Sequence, residues 1–549
     1  MQNWILSPLQ DSLLVVATPV LVMALALIMF RTLGSAAATS LIIVAHIVFT
    51  VAHHLPTFIR IYGDVELFRQ HRWHFIMAPV VPLLFSAVVL GYINHHAFPV
   101  ENFLYLYIML VLWDPWHFLR QHYGFVRIYD RPNEAPKQLA ARMDLWLCAT
   151  WFIYILFGSS AWLAGILADL NQTVRIPLLL YVPADLGAIV TRVARDLAIL
   201  MTLAYSMYLV WCRLTGYFIS LAKLALLVAT FGAMYFAYVP NDWMQMMAPG
   251  WTFKVGFAVI GMVHMTQYLA IVWRYNRTLA ARSGLARDGW FHRLFRRGGW
   301  AVGIGYVLLC LTYGELITTE QSSRGVMSVL LALGFTSTLL HYYFDGFIWK
   351  VRQRPNRENL AMEAASEKPK PPPLPVPARP HSARTMLARQ MLYFGVPMLV
   401  LSIGAFMAWQ APVTSSVEHM YRAQSLSQQG LMPEAIAEAH AAQAAMSREL
   451  PVVRKLTQMD PSAAREAELA FLIYNESYYA NVVLPSASGT RIGSAQRAAY
   501  RDAASKAVEL LERAMVTGAP LAHPSRPKFE TEDAARALSG WRRVAQSIS

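Results

Sequence analysis

Five stretches of this chain place metal-binding or proton-moving side chains inside apolar sequence. "AHIVFTVAHHLPTFIR" carries His46, His53 and His54, and "QHRWHF" carries His71 and His74. "VLWDPWHFLRQHYGFVRIYD" carries Asp114, His117, His122 and Arg127, "GMVHMTQ" carries His264, and "LLHYYFDGF" carries His341 and Asp345. Neutral imidazoles mixed with carboxylates are the donor set that first-row transition metals prefer. On a helix, residues three or four apart share a face, which pairs His71 with His74 and His341 with Asp345; His46 and His53, seven apart, also align.

These residues are positioned by long apolar runs. About 20 apolar residues cross a bilayer core, and such runs fall at 13–30, 36–58, 74–94, 99–120, 143–167, 192–213, 219–239, 251–273, 299–318, 325–348 and 390–410. The expected fold is therefore all-α, a polytopic bundle of about eleven transmembrane helices. The loops "RIYDRPNEAPKQLAARMD", "RYNRTLAARSGLARDGWFHRLFRRGG" and "KVRQRPNRENL" are rich in Lys and Arg and so face the cytoplasm, which puts the N-terminus inside. Only the loop at 168–191 does not sort by charge. Sorted by side, nine of the sixteen histidines fall near the cytoplasmic ends of five spans. His264 precedes Arg274 by ten residues, about 15 Å of helix. His95 and His96 fall on the opposite side, and the remaining histidines lie in polar segments.

The composition agrees. With 56% hydrophobic and 15% charged residues, an ordinary soluble domain is excluded. The net charge of +14 is concentrated in the loops between apolar runs, which favours a topological role over nucleic-acid binding. Cys148, Cys212 and Cys310 are isolated within apolar runs, so neither a disulfide framework nor a CxxC site is expected. The first run lacks a basic flank and a cleavage site and is expected to be retained as a helix. Four regions follow: a membrane domain at 1–354 with ten spans and the metal site, a Pro-rich cytoplasmic linker at 355–389, an eleventh span at 390–410, and an extracytoplasmic helical domain at 411–549. In the last, "YRAQSLSQQGLMPEAIAEAHAAQAAMSRELP" turns at Gly430, ends at Pro451 and resembles a tetratricopeptide unit. A single such unit points to a protein partner, although a plain helical hairpin reads equally well.

A zinc site takes three or four ligands, and a haem takes two axial histidines. Eight or nine histidines with a carboxylate better suit two ions held close together, with iron the natural choice in an imidazole-rich membrane site. In this arrangement the chain resembles the histidine-rich membrane di-iron oxidoreductases, namely fatty-acid desaturases, lipid hydroxylases and alkane monooxygenases. That family's boxes are HxxxH and HxxHH; here the spacings are H-x6-HH, HxxH, H-x4-H, a lone His264 and HxxxD. The resemblance implies two iron ions held by His46, His53, His54, His71, His74, His117, His122, His264, His341 and Asp345. It also implies an apolar, lipid-like substrate oxidised by dioxygen and a cytoplasmic electron-donor protein. Asp114 is a ligand or a helix-break cap. Arg60 and Arg127, each within an "RIY" followed closely by Asp, are expected to clamp an anionic head group or a neighbouring carboxylate. A bacterial-type inner membrane is the expected location. A membrane-bound acyltransferase, which needs one histidine, a haem protein and a non-enzymatic scaffold stand as alternatives.

Overall fold

The computed structural model describes residues 2–95, 105–158, 178–183, 185–282, 290–296, 300–318, 324–348, 414–459, 462–516, 521–523, 526–529 and 531–547, with isolated positions at 164 and 167 and between 385 and 406. Most of the expected linker, at 355–384, lies outside the described residues, and the eleventh span lies within them only in part. Among the described residues the chain is helical apart from one antiparallel hairpin, β1 (Leu521–His523) with β2 (Arg526–Phe529). It divides into two compact units, Met1–Gly158 with Val193–Phe406, and Ser159–Arg192 with Met407–Ser549. The segment 159–192, expected within the region 1–354, groups with the C-terminal region.

In the first unit, α1 (Thr18–Leu33), α2 (Ser35–Ala52), α3 (Leu55–Gly63), α4 (Val65–His95), α5 (Tyr105–Tyr129) and α6 (Lys137–Gly158) are followed by α7 (Leu186–Leu214), α8 (Leu221–Tyr238), α9 (Phe253–Arg282), α10 (Trp290–Arg296), α11 (Trp300–Thr318) and α12 (Arg324–Ile348). Five helical segments, Ser35–Gly63, Lys137–Gly158, Leu186–Leu214, Leu221–Tyr238 and Phe253–Ala281, are long and apolar enough to cross a membrane. A sixth is added if Pro8–Val16 and Thr18–Leu33, bent by 53°, form one span. Their packing inverts the soluble pattern. On α7, Val193, Leu197, Leu200, Leu203, Met207 and Val210 are exposed while Ala194, Ala198 and Cys212 are buried. Small residues turned inward let helix backbones approach, and large ones turned outward suit a lipid surround.

Helix α9 is largely buried and packs against α1, α2, α8 and α10, while α12 contacts α2, α3, α4, α5 and α11. Two glycines set the closest approaches to α2. A Cβ on Gly314 of α11 would collide with the Val48 carbonyl oxygen, and one on Gly261 of α9 would collide with the His46 ring. Between α2 and α3 the helix breaks at His53 and His54. Pro56 has no N–H to continue the ladder, and the bonds instead tighten by one residue, running from the His54 N–H to Val51 O and from the Thr57 N–H to His54 O. This break presents two adjacent histidines to the interior.

In the second unit, α13 (Ser416–Gln428) and α14 (Met432–Met459) form a hairpin turned by Gly430 at φ 78°. The expected helix end at Pro451 does not occur. A proline inside a helix costs about 3 kcal/mol, but Val452 and Leu456 are buried against Ala164 and Leu179, and each such burial contributes about 1.5–3 kcal/mol. The two together offset the proline. A second pair, α15 (Ala463–Tyr478) and α16 (Ser494–Val516), packs through Ala467, Ala470, Ala507 and Ala514, and α17 (Thr531–Gln546) closes over it with Leu538 and Trp541.

Because Gly314 meets backbone that cannot yield, Gly314→Ala should lower the thermal midpoint in detergent by the equivalent of about 1–3 kcal/mol. Gly305→Ala on the same helix meets nothing within 4 Å and should leave the midpoint unchanged or slightly raised. Equal midpoints for the two variants would contradict this packing.

Candidate metal centre

Five histidines from four helical segments meet around His341. Ring centroids of His53 lie 4.5 Å from both His54 and His341, and His54 lies 4.7 Å from His341. His117 of α5 lies 5.2 Å from His341 and 5.1 Å from His264, and His264 of α9 lies 5.4 Å from His53. Asp345, one turn beyond His341, places Oδ2 3.7 Å from Nε2 of both His117 and His341. Two donors bound to one ion at about 2.1 Å are about 3.5 Å apart, so this spacing already matches a shared ion. Two donor groups have their ligating atoms within 4.8 Å of one another: His53, His54 and His341, and His117, His341 and Asp345.

The donor chemistry fits a metal. Both ring nitrogens of His53 and His264, and Nε2 of His117 and His341, are buried without a hydrogen-bond partner. Leaving a buried polar atom unpaired costs about 1–3 kcal/mol, so these six atoms together rival the whole stability of a typical domain, about 5–15 kcal/mol. A cation that accepts one lone pair from each of the four rings removes that part of the cost, the remaining N–H of His53 and of His264 still lacking an acceptor among the described residues.

Hydroxyl groups surround the cluster. Thr57 Oγ1 is 3.0 Å from His341 Nδ1 and 2.6 Å from the Tyr268 hydroxyl, which donates to Asp345 Oδ1 at 2.9 Å. Ser337 Oγ is 3.0 Å from His54 Nδ1 and 3.0 Å from the Tyr313 hydroxyl. Sequence reasoning missed all four. A usable signal existed: Thr57 follows His53 by four, Tyr268 follows His264 by four, and Ser337 precedes His341 by four, each one helical turn away.

The remaining expected ligands have other nearest neighbours among the described residues. His71 and His74 pack on Phe347, and His74 Nδ1 lies 2.7 Å from the Tyr343 hydroxyl. Tyr343 is two residues from both His341 and Asp345, so at about 100° per residue it projects from the opposite flank of α12. The cause on α4 is a bend at His71, with φ −126° and ψ 23°. His122 is buried between Phe118 and Phe231; five residues from His117, it lies about 140° around the helix. His46 packs on Phe257, with Nε2 3.4 Å from Thr50 Oγ1, two turns above His53. Asp114 belongs to α5, and its side chain lies outside the described residues.

Neither arginine is an open anion clamp. Arg60 pairs with Asp64 at 2.8 Å and lies over Tyr275. Arg127 pairs with Asp130 at 2.7 Å and Asp144 at 2.5 Å, carboxylates that also hold the buried Lys223. An opposite charge already sits beside each guanidinium group, although Nε and Nη1 of Arg60 make no hydrogen bond among the described residues.

No protein-family model, curated protein or solved structure matches this chain. The reading of the centre therefore stands on its geometry.

With zinc or cobalt as probe, His117→Ala should weaken divalent-ion binding by more than about 100-fold, since a ligand commonly matters more than the 10–100-fold effect of its supporting residues. His122→Ala should stay within about threefold of the unaltered protein, because Phe118 and Phe231 separate its ring from the donors. Equilibrium dialysis of both variants checks this, and equal losses would refute the assignment of His122 outside the centre.

Proposed function

We propose that the protein is an integral-membrane iron oxidoreductase that uses dioxygen to desaturate or hydroxylate a lipid-like substrate. The observation that carries this reading is the grouping of His117, His341 and Asp345. Two histidines and one carboxylate on one side of an ion leave other positions open, the arrangement that suits non-haem iron and oxygen chemistry better than closed structural sites. His53 and His54, with His264 between the two groups, supply nitrogen donors for a second ion. Bound iron would supply the activation of dioxygen for attack on a C–H bond. Per turnover, one dioxygen takes two electrons from the substrate and two from a cytoplasmic donor protein; desaturation leaves two waters, hydroxylation one water and one alcohol.

Haem fits less well. Two imidazoles bound on opposite faces of one iron have nitrogens about 4 Å apart and ring centroids beyond about 6 Å. The neighbouring histidine rings are packed at 4.5–5.4 Å, too close for a porphyrin between those pairs. An acyltransferase would use one histidine and leave the other imidazoles without a role.

The membrane reading gives the chain about eleven spans, with the centre near the cytoplasmic face of the plasma membrane. The second unit supports this topology. We read the contact of Ala164 and Leu179 with Val452 and Leu456 as keeping both segments on one side of the membrane, which would call for an even number of crossings between them. Six apolar runs lie between, from 192–213 to 390–410. With the N-terminus inside, as the basic loops imply, the second unit in this reading is extracytoplasmic, and its hairpins offer a tetratricopeptide-like surface for a protein partner.

Purified protein should contain about two irons per chain, one on His117, His341 and Asp345 and the second on His53, His54 and His264, since His341 offers one free nitrogen and can serve only one ion. His341→Ala, which removes the donor common to both groups, should lose iron and activity together. A folded, iron-free variant that still converted the native substrate would overturn the reading. Protease added outside intact spheroplasts should remove the region after residue 411; full protection there would refute the topology.

A further inference from the structure

Resting on the metal reading above, we propose that Thr57 and Tyr268 are positioning residues, forming a one-way hydrogen-bond circuit that joins His341 to Asp345 and holds both in ligating form. The circuit spans three helices: Thr57 comes from α3, Tyr268 from α9, and the two ligands from α12. Its three shorter contacts are His341 Nδ1 to Thr57 Oγ1 at 3.0 Å, Thr57 Oγ1 to the Tyr268 hydroxyl at 2.6 Å, and the Tyr268 hydroxyl to Asp345 Oδ1 at 2.9 Å, and Thr57 Oγ1 also lies 3.3 Å from Asp345 Oδ1.

Counting protons fixes its direction. A neutral imidazole carries one N–H, each hydroxyl carries one proton, and an ionised carboxylate carries none. Three protons must therefore serve the three shorter contacts. With Asp345 ionised, only one order places a proton in each: His341 Nδ1–H donates to Thr57, Thr57 donates to Tyr268, and Tyr268 donates to Asp345. If the imidazole proton sat on Nε2 instead, Thr57 would have to donate to Nδ1 and Tyr268 to Thr57. The Asp345 oxygen would then face the Tyr268 oxygen at 2.9 Å with no proton between them.

The forward order has two consequences for the ligands. It keeps the lone pair of His341 on Nε2, the nitrogen 3.7 Å from Asp345 Oδ2. It also holds the carboxylate by Oδ1, so that Oδ2 is turned toward His341 and His117. Partners of this kind fix ring orientation and tautomer, and their loss commonly lowers metal affinity 10–100-fold.

The test titrates Co(II) alone into full-length, metal-free protein in detergent, for the unaltered chain, Thr57→Val, Tyr268→Phe, the double variant and Thr57→Ser. Affinity and the visible absorption of bound Co(II) are read, and the thermal midpoint of each metal-free variant reports folding. Each single variant should bind about 10–100-fold more weakly and show altered absorption bands, while Thr57→Ser, which keeps the hydroxyl, should restore both. The double variant should be no weaker than the weaker single variant, since a circuit cut once is already broken. If Thr57→Val does not fold, Tyr268→Phe and the Thr57→Ser rescue decide the same question. Single variants within twofold of the unaltered protein, or losses that multiply in the double variant, overturn the circuit while leaving the metal centre standing. An unaltered protein that takes up no Co(II) overturns both.

Discussion

The architecture of the first unit turns on one constraint: buried imidazole nitrogens need partners, and around His341 the helices supply too few. In a low-dielectric interior an unpaired polar atom is costly, yet six such atoms on four rings face one another here. Much of the surrounding fold serves this convergence. Pro56 breaks the helix so that His53 and His54 both turn inward, Gly314 lets α11 close against α2 beside them, and the buried α9 carries His264 and Tyr268 through the middle. Without a ligand, relaxing any of these would relieve the strain on the cluster. The proposed cation would make them mutually necessary.

The same unit contains a second buried polar group that solves the problem differently. Arg127, Asp130, Asp144 and Lys223 join α5, the loop after it, α6 and α8, with Lys223 Nζ 2.5 Å from Asp130 and 3.2 Å from Asp144. Tyr205 and Asn133 complete its hydrogen bonds. Two positive and two negative groups satisfy one another, so this cluster needs no ligand and acts as a lock between helices; removal of one member would leave an uncompensated buried charge. Neutral imidazoles cannot neutralise each other in this way. That difference in charge complementarity separates the structural cluster from the candidate centre.

The second unit is held by alanine. Ala467, Ala470, Ala507 and Ala514 have almost no side chain to bury, so its stability comes from close backbone approach and from the few large residues at its edges, such as Trp541, stacked on Tyr474 at 4.8 Å. The segment 159–192 adds Ala164 and Leu179 to this unit, although it is separated in sequence from the rest by more than 200 residues.

The sequence by itself determined the helical character, the apolar runs and the pairing of His341 with Asp345. These follow from local rules: composition sets the preference for lipid or water, and spacing along a helix sets which residues share a face. Depth along the spans also brought His53, His54, His117 and His264 to one level. Tertiary structure decided which histidines at that level meet. A rotation of about 100° per residue separates His122 from His117 and turns His71 and His74 toward Tyr343, and no sequence pattern states how each helix is rotated about its axis. The pairing of each arginine with particular carboxylates, the hydroxyl partners of the ligands and the membership of 159–192 depend likewise on contacts between distant segments. Such contacts are set by packing shape, which local spacing does not encode.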